Sequence, residues 1–359
     1  MAAEPGNVAS MSPEWSFVLA CCRHVSRGAG AERVRAAAAA GLDWPLVERI
    51  ARRHRVEGLV HKALADAGVG SPFASAANVI VRRNLAHAAE AARLHARLEE
   101  AGIRHLFVKG VTLDILAWRS LAVKSSIDID VLVDPARYGE ACSLLFEAGY
   151  ACTHPGGRSA PEIEAYARRN KDSVWNHRRR GITVELHQRL AGNTALLPTL
   201  SAHSPSQQVD VSPGIALPTL ARDELFAYLC VHGALTAWSR LKWPADLTAL
   251  LAREDDLEGL YRRAALLAPG RAVPQALLVC EALFGLPLGR LSEELRRDKR
   301  NLWLARTALE TMVRGGADAE LSDQPLGTAR IHYSILFLQK GFRYKAGDLT
   351  RQVRRLTRR

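Results

Sequence analysis

Ile127-Asp128-Ile129-Asp130-Val131-Leu132-Val133 is a run of β-branched and aliphatic residues interrupted by two carboxylates two positions apart. Successive side chains on a strand leave opposite faces, so a strand here puts Asp128 and Asp130 on one face and Ile127, Ile129, Val131 and Val133 on the other. The two Cα atoms then lie about 6.5 Å apart, at about 3.3 Å of rise per residue. Like charges held this close repel, and a hard divalent cation such as Mg2+ is a common way to offset that repulsion. The competing reading is a solvent-facing strand edge.

The sequence around this stretch bounds the answer. The chain has 359 residues, 48% of them hydrophobic, enough for a full core and two or three domains or subdomains. No window approaches the roughly eighteen uninterrupted apolar residues of a membrane span, and Glu4 is acidic where a signal peptide carries positive charge, so the chain reads as cytoplasmic with no membrane partner. The six cysteines show no C-x-x-C spacing, and neither a zinc site nor a disulfide framework is indicated. The net charge is +12, but Lys340 to Arg359 holds eight Lys or Arg against one Asp, which leaves only +5 for the rest. That tail reads as a solvated helix end or, alternatively, a nucleic-acid contact. Only eight of the 49 basic residues are Lys, and Lys109, Lys124, Lys171 and Lys242 fall in or beside the segments that look chemical.

Residues 1–100 read as an N-terminal helical region, with Asp43 and Pro45 marking one helix start. Residues 101–215 read as a catalytic core and 216–339 as a C-terminal helical domain, followed by the basic tail at 340–359. Within the core, His105 to Val108 is a short strand, and Gly110 opens a helix through Trp118. Pro135 to Gly149 forms a further helix. Ser173 to His177 and Ile182 to Gln188 form an antiparallel hairpin around Arg178-Arg179-Arg180-Gly181. Alternation in the second arm puts Ile182, Val184 and Leu186 on one face and Thr183, Glu185 and His187 on the other. A third carboxylate and an imidazole thus emerge together.

A strand ending at Lys-Gly before a helix, a strand bearing Asp-x-Asp and a later strand bearing one more carboxylate resemble the polymerase-β-like nucleotidyltransferase core. The blocks "FVKGVTLDILAWRSLAVKSSIDIDVLV", "ITVELHQRL" and "HGALTAWSRLKWPADLTALL" resemble, in order, those of an uncharacterised bacterial nucleotidyltransferase family. The likeness spans roughly Trp44 to Leu288. It implies an α+β fold, a small mixed sheet in a polymerase-β-like core flanked by N- and C-terminal helical regions. It implies a magnesium-dependent enzyme that transfers a nucleoside monophosphate from a nucleoside triphosphate, such as ATP, to a small-molecule, peptide or RNA acceptor.

Carried over residue by residue, the resemblance makes Asp128, Asp130 and Glu185 the ligands of two Mg2+ ions, with Glu185 orienting or deprotonating the attacking group. Lys109 and Gly110 sit at the phosphate-facing helix start, where backbone N–H groups and the helix dipole favour anions. Lys124 stands where the family usually has Arg, four residues before the first Asp, and Gln188 replaces a usual Trp. Lys242 and Arg240 are further candidates for the phosphates. His187, Arg240 and Asp246 are supporting residues; the rival explanation is an exposed hairpin face for His187, as for Glu185, and capping, Trp packing and an internal ion pair for Arg240 and Asp246. Two other functions compete: a nucleotidyltransferase-like scaffold without turnover in a biosynthetic or regulatory complex, and an RNA-directed transferase using the basic tail.

Overall fold

The computed structural model describes residues 12–356 apart from 29, 315 and 325. Glu4 and the last three residues of the basic tail lie outside the described residues. In chain order the helices are α1 (Pro13–Arg27), α2 (Ala31–Ala38), α3 (Trp44–His54), α4 (Glu57–Asp66), α5 (Ala74–Glu100), α6 (Val111–Trp118), α7 (Tyr138–Glu147), α8 (Ala160–Arg169), α9 (Arg222–Leu235), α10 (Lys242–Leu251), α11 (Leu257–Leu267), α12 (Ala272–Phe284), α13 (Arg290–Arg297), α14 (Lys299–Val313), α15 (Ala329–Ile335) and α16 (Phe342–Leu356). The strands are β1 (His105–Phe107), β2 (Ile129–Val133), β3 (Ala151–His154), β4 (Asp172–His177), β5 (Ile182–His187), β6 (Ser206–Ser212) and β7 (Ile215–Leu220). None of the described helices is long and apolar enough to cross a membrane.

The chain divides into two compact units, one from Val79 to Tyr228 and the other made of the residues up to Asn78 together with those from Leu229 onward. The helical segments at the two ends, drawn apart in the sequence, therefore fall in one unit, and most of α5 goes with the sheet.

The sheet unit is α+β, as the resemblance implied. Its five-stranded mixed sheet runs β1-β2-β5-β4-β3, and β6 and β7 form a separate two-stranded ribbon. β2 and β5 pair in parallel, while β1·β2, β4·β5 and β3·β4 are antiparallel. The expected hairpin forms, with Gly181 at φ 62° closing its turn. Ile129, Val131 and Val133 of β2 and Ile182, Val184 and Leu186 of β5 are buried with Leu94 and Leu98 of α5, Ala141 and Leu145 of α7 and Ile163 of α8. Alternation then assigns Asp130, Glu185 and His187 to the opposite face.

Three local readings differ from this structure. The strand starts at Ile129, so Asp128 precedes it, and Ile127 is exposed rather than in the core. The cause is pairing, since β2 meets β5 only from Ile129 opposite Val184. The polar, Pro- and Ser-containing stretch near Ala202 to Pro218, where no strand was expected, contains the β6·β7 ribbon, turned at Gly214 with φ 75°. Lastly, Arg55 at φ 57° breaks the helical run after Trp44 into α3 and α4.

In the helical unit, the Asp43 side chain accepts a hydrogen bond from the Leu46 backbone N–H at 3.1 Å, the cap expected from Asp43 and Pro45. The two ends of the chain are tied here. Arg27 of α1 donates to the Phe284 carbonyl at 2.7 Å, and Arg53 of α3 donates to the Ser239 carbonyl at 2.6 Å.

Trp175 of β4 is fully buried, stacks edge-on with Phe146 at 4.8 Å and donates its indole N–H to Ser173 at 2.8 Å. Trp175→Ala should cost about 3–5 kcal/mol, read as a lowered denaturation midpoint in urea. Trp175→Phe should recover much of that loss.

Candidate active site

Two backbone registers build the site. In the parallel β2·β5 ladder Asp130 stands opposite Glu185, and in the antiparallel β4·β5 ladder Asp172 stands opposite His187. All four side chains leave the face not covered by α5 and α7. Lys109 comes from beyond β1, where the Val108 N–H donates to the Asp130 carbonyl at 3.2 Å and brings the next residue alongside β2.

The geometry centres on Asp130, which is 1% exposed. Its Oδ1 accepts from Lys109 Nζ at 2.8 Å and lies 2.9 Å from His187 Nε2. The same imidazole nitrogen is 3.4 Å from Glu185 Oε2, while His187 Nδ1 faces Asp172 Oδ2 at 3.6 Å. Lys171 is ion-paired with Asp172. Tyr228, also buried, lies within electrostatic reach of Lys109, Asp130, Glu185 and Asp128.

Burial by itself would raise the Asp130 carboxyl pKa, but the Lys109 ammonium and the His187 imidazole outweigh it and hold the group well below the usual carboxylate range. The reciprocal effect appears on Lys109. Burial works to lower its pKa, yet Asp130, with Asp128 and Glu185 contributing, pushes it up. His187 is opposed by burial and by Lys171, but Asp130 and Glu185 leave its pKa raised.

Asp130 Oδ2 is buried with no hydrogen-bond partner. A buried carboxylate oxygen left without a donor carries a penalty of about 1–3 kcal/mol or more, which a cation in that position removes. The ligand atoms of Asp130, Glu185 and His187 all lie within 4.8 Å of one another. Two carboxylates and one imidazole suit a divalent ion. Asp128, half-buried just before β2, is not part of that close set, whereas His187, expected to be a supporting residue, is.

Gly110 begins α6 as predicted, with φ 70° and ψ −131°. A Cβ there would make ordinary contact, at 3.5 Å, with the Asp128 carbonyl, so the need for glycine comes from the left-handed backbone. Lys124, expected at the phosphates, is buried with its ammonium 2.9 Å from Asp114 of α6. Ser126 donates to the same carboxylate at 3.1 Å, and Asn84 of α5 donates to the Leu121 and Lys124 carbonyls at 2.7 and 2.6 Å. This network holds the loop that leads into Asp128. Gln188, in the place of the usual Trp, donates to the Asn170 carbonyl at 2.9 Å.

Arg240, Lys242 and Asp246 belong to the helical unit. There Arg240 pairs with Glu320 at 2.9 Å, Lys242 lies 5.6 Å from the centroid of the Trp243 ring, and Asp246 is buried in α10. Asp172, Asp114 and Tyr228 were not picked out from sequence. Asp172 had a usable signal, since it immediately precedes the Ser173 strand and is the residue that an antiparallel hairpin sets opposite His187.

Replacing Lys124 by Met should destabilise the protein by about 3–5 kcal/mol in urea titration, because the Asp114 charge is left buried and unpaired. The double variant Lys124→Met, Asp114→Leu should regain most of that loss. Equal losses in the single and double variants would refute the pairing.

A family model described as an uncharacterised nucleotidyltransferase matches residues 40–285, which takes in the whole sheet unit and the flanking helices from α3 to α12. No curated protein matches the chain.

Proposed function

The chain belongs to the uncharacterised nucleotidyltransferase family, and from that membership we propose that it transfers a nucleoside monophosphate from a nucleoside triphosphate to an acceptor, with a divalent ion, Mg2+ by default, as cofactor. The observation that carries this reading is the convergence of Asp130, Glu185 and His187 around the unpartnered Asp130 Oδ2, beside Lys109.

Asp130, Glu185 and His187 would hold the metal, with Asp128 at the mouth of the strand. When bound, the ion would neutralise charge on the triphosphate and help to align the attacking and leaving oxygens. The protein's own groups divide the remaining work. Lys109 keeps Asp130 ionised and, with the helix start at Gly110, offers positive charge to the phosphates. Glu185 is the more accessible carboxylate, its side chain 27% exposed, and is placed to take the acceptor's proton. Asp172 faces Nδ1 of His187 and so turns Nε2 toward Asp130 and Glu185. Lys124 enters this reading through its hold on Asp114 and the loop.

Incubation with α-labelled nucleoside triphosphates and candidate acceptors tests the proposal. Glu185→Gln should lower transfer about 100-fold or more while the variant stays folded. Undiminished transfer in that variant would rule the mechanism out. A second reading, a nucleotide-binding scaffold without turnover, is favoured by one feature: Lys109 and His187 already balance Asp130. Calorimetry separates the two, since Mg2+-dependent nucleotide binding without any labelled product would support the scaffold.

The raised pKa of His187 sets two pH trends. A group protonated more readily in the fold than in the unfolded chain stabilises the fold fully below its unfolded pKa, about 6.5, and that contribution fades as pH rises through the folded value. His187→Gln should therefore lose more stability relative to wild type at pH 6 than at pH 9, measured by thermal unfolding of the metal-free protein. A metal-binding imidazole must be neutral, so divalent-ion affinity should climb over the same interval in calorimetric titrations.

A further inference from the structure

A second cluster of metal-binding residues lies in the sheet unit at the junction of α5 and β1. Gly102, with φ 65°, ends α5 and reverses the chain. Its N–H donates to the Glu99 carbonyl at 2.9 Å, and the Ile103 N–H donates to the Leu98 carbonyl at 2.8 Å. The reversal sets His105, the first residue of β1, against His95, and Glu99 stands one helical turn beyond His95. His95 Nδ1 and His105 Nε2 are 2.8 Å apart, and the Glu99 carboxylate is 3.9 Å from His105 Nδ1. Ligand atoms from all three residues lie within 4.8 Å of one another.

The hydrogen bonding of His105 decides what the cluster can bind. Its Nδ1 is 2.8 Å from the Ile103 carbonyl, which only accepts, so Nδ1 carries the proton and Nε2 presents a lone pair toward His95. A backbone carbonyl on the far nitrogen of an imidazole is the arrangement that orients metal-ligating histidines. His105 is 2% exposed, so the ring is held in place between the Ile103 carbonyl and His95. Glu99 stands on the protonated Nδ1 side of His105, at 3.9 Å, and its largely exposed side chain would rotate to the Nε2 side to reach an ion. Two imidazole nitrogens and one carboxylate oxygen select a borderline transition ion over Mg2+ or Ca2+, which prefer all-oxygen shells.

We propose that His95, Glu99 and His105 form a site for a divalent transition-metal ion of the zinc class, which clips the end of α5 to β1. With metal–nitrogen bonds of about 2.0–2.1 Å in a tetrahedral shell, the two imidazole nitrogens would sit about 3.3 Å apart, so the rings need open by only about half an ångström. β1 leads through Val108 to Lys109, so the clip fastens the strand that delivers the lysine to Asp130. The proposal is independent of the catalytic reading, because none of its ligands belongs to that cluster.

The test uses the full chain in a His187→Gln background, which removes the imidazole from the site around Asp130, freed of metal by chelation and titrated with Co2+ in the presence of millimolar Mg2+ to cover that site. One Co2+ that resists Mg2+ and shows the visible absorption of a four-coordinate ion is expected, together with a rise in melting temperature. His95→Ala, on the partly exposed helix face, should weaken that binding by about tenfold or more, and Glu99→Gln should weaken it less. Binding of Co2+ to His95→Ala as tight as to the His187→Gln parent, or no Mg2+-resistant Co2+ at all, would overturn the assignment. Should His95→Ala prove poorly folded, Glu99→Gln and the parent's spectrum still decide, since an unchanged affinity and a six-coordinate spectrum would equally reject it.

Discussion

The parallel pairing of β2 with β5 is the constraint on which the site depends. That register sets Asp130 against Glu185 and Leu132 against His187, and the strict two-residue alternation of a strand does the rest. A slip of one residue would drive Asp130 into the apolar layer of α5 and α7 and turn Val131 toward the carboxylates. The hydrophobic burial of Ile129, Val131 and Val133 on β2, and of Ile182, Val184 and Leu186 on β5, therefore holds the chemical face in register as well as the fold. The packing that makes the protein stable is the same packing that aims its charges.

Burying Asp130 would be unfavourable if it stood alone. Lys109 and His187 both converge on its Oδ1, and Asp172 stands behind the imidazole. A separate buried pair, Lys124 with Asp114, secures the loop on the way into the strand. The two ion pairs have different surroundings. Around Asp130 other carboxylates crowd in and Oδ2 is left without a donor; Oδ1 of Asp114 also makes no hydrogen bond but lies 2.9 Å from the Lys124 ammonium, and Oδ2 of Asp114 accepts from Ser126. Such unevenness separates a site able to take up a further ligand from a strut whose two oxygens each already face a cation or a donor.

How much of this was legible in the sequence depended on the range of the interaction. The alternation from Ile182 to Gln188 placed Glu185 and His187 on one face, and Lys-Gly before an apolar helix marked the turn at Gly110; both are properties of a few consecutive residues. The partner of each strand is not such a property. Asp172 acquires its role only from lying opposite His187, and Lys124 resembled a phosphate ligand because nothing near it in sequence reveals that Asp114 lies within 2.9 Å. Ile127 continued the apolar pattern but has no neighbouring strand to bury it. The β6·β7 ribbon did carry a local signal, Pro213-Gly214 between Val209, Val211 and Ile215, Leu217, obscured by Pro218.

The discontinuous make-up of the helical unit has a consequence for biosynthesis. The sheet unit has its last residue, Tyr228, well before the chain is finished. Helices α1 to α4 leave the ribosome before the backbone carbonyls that Arg27 and Arg53 hold, at Phe284 and Ser239, have been made. At about 5–20 residues per second, the nascent N-terminal helices wait on the order of ten seconds for those carbonyls. The helical unit is therefore completed late, after every residue of the sheet unit has been made.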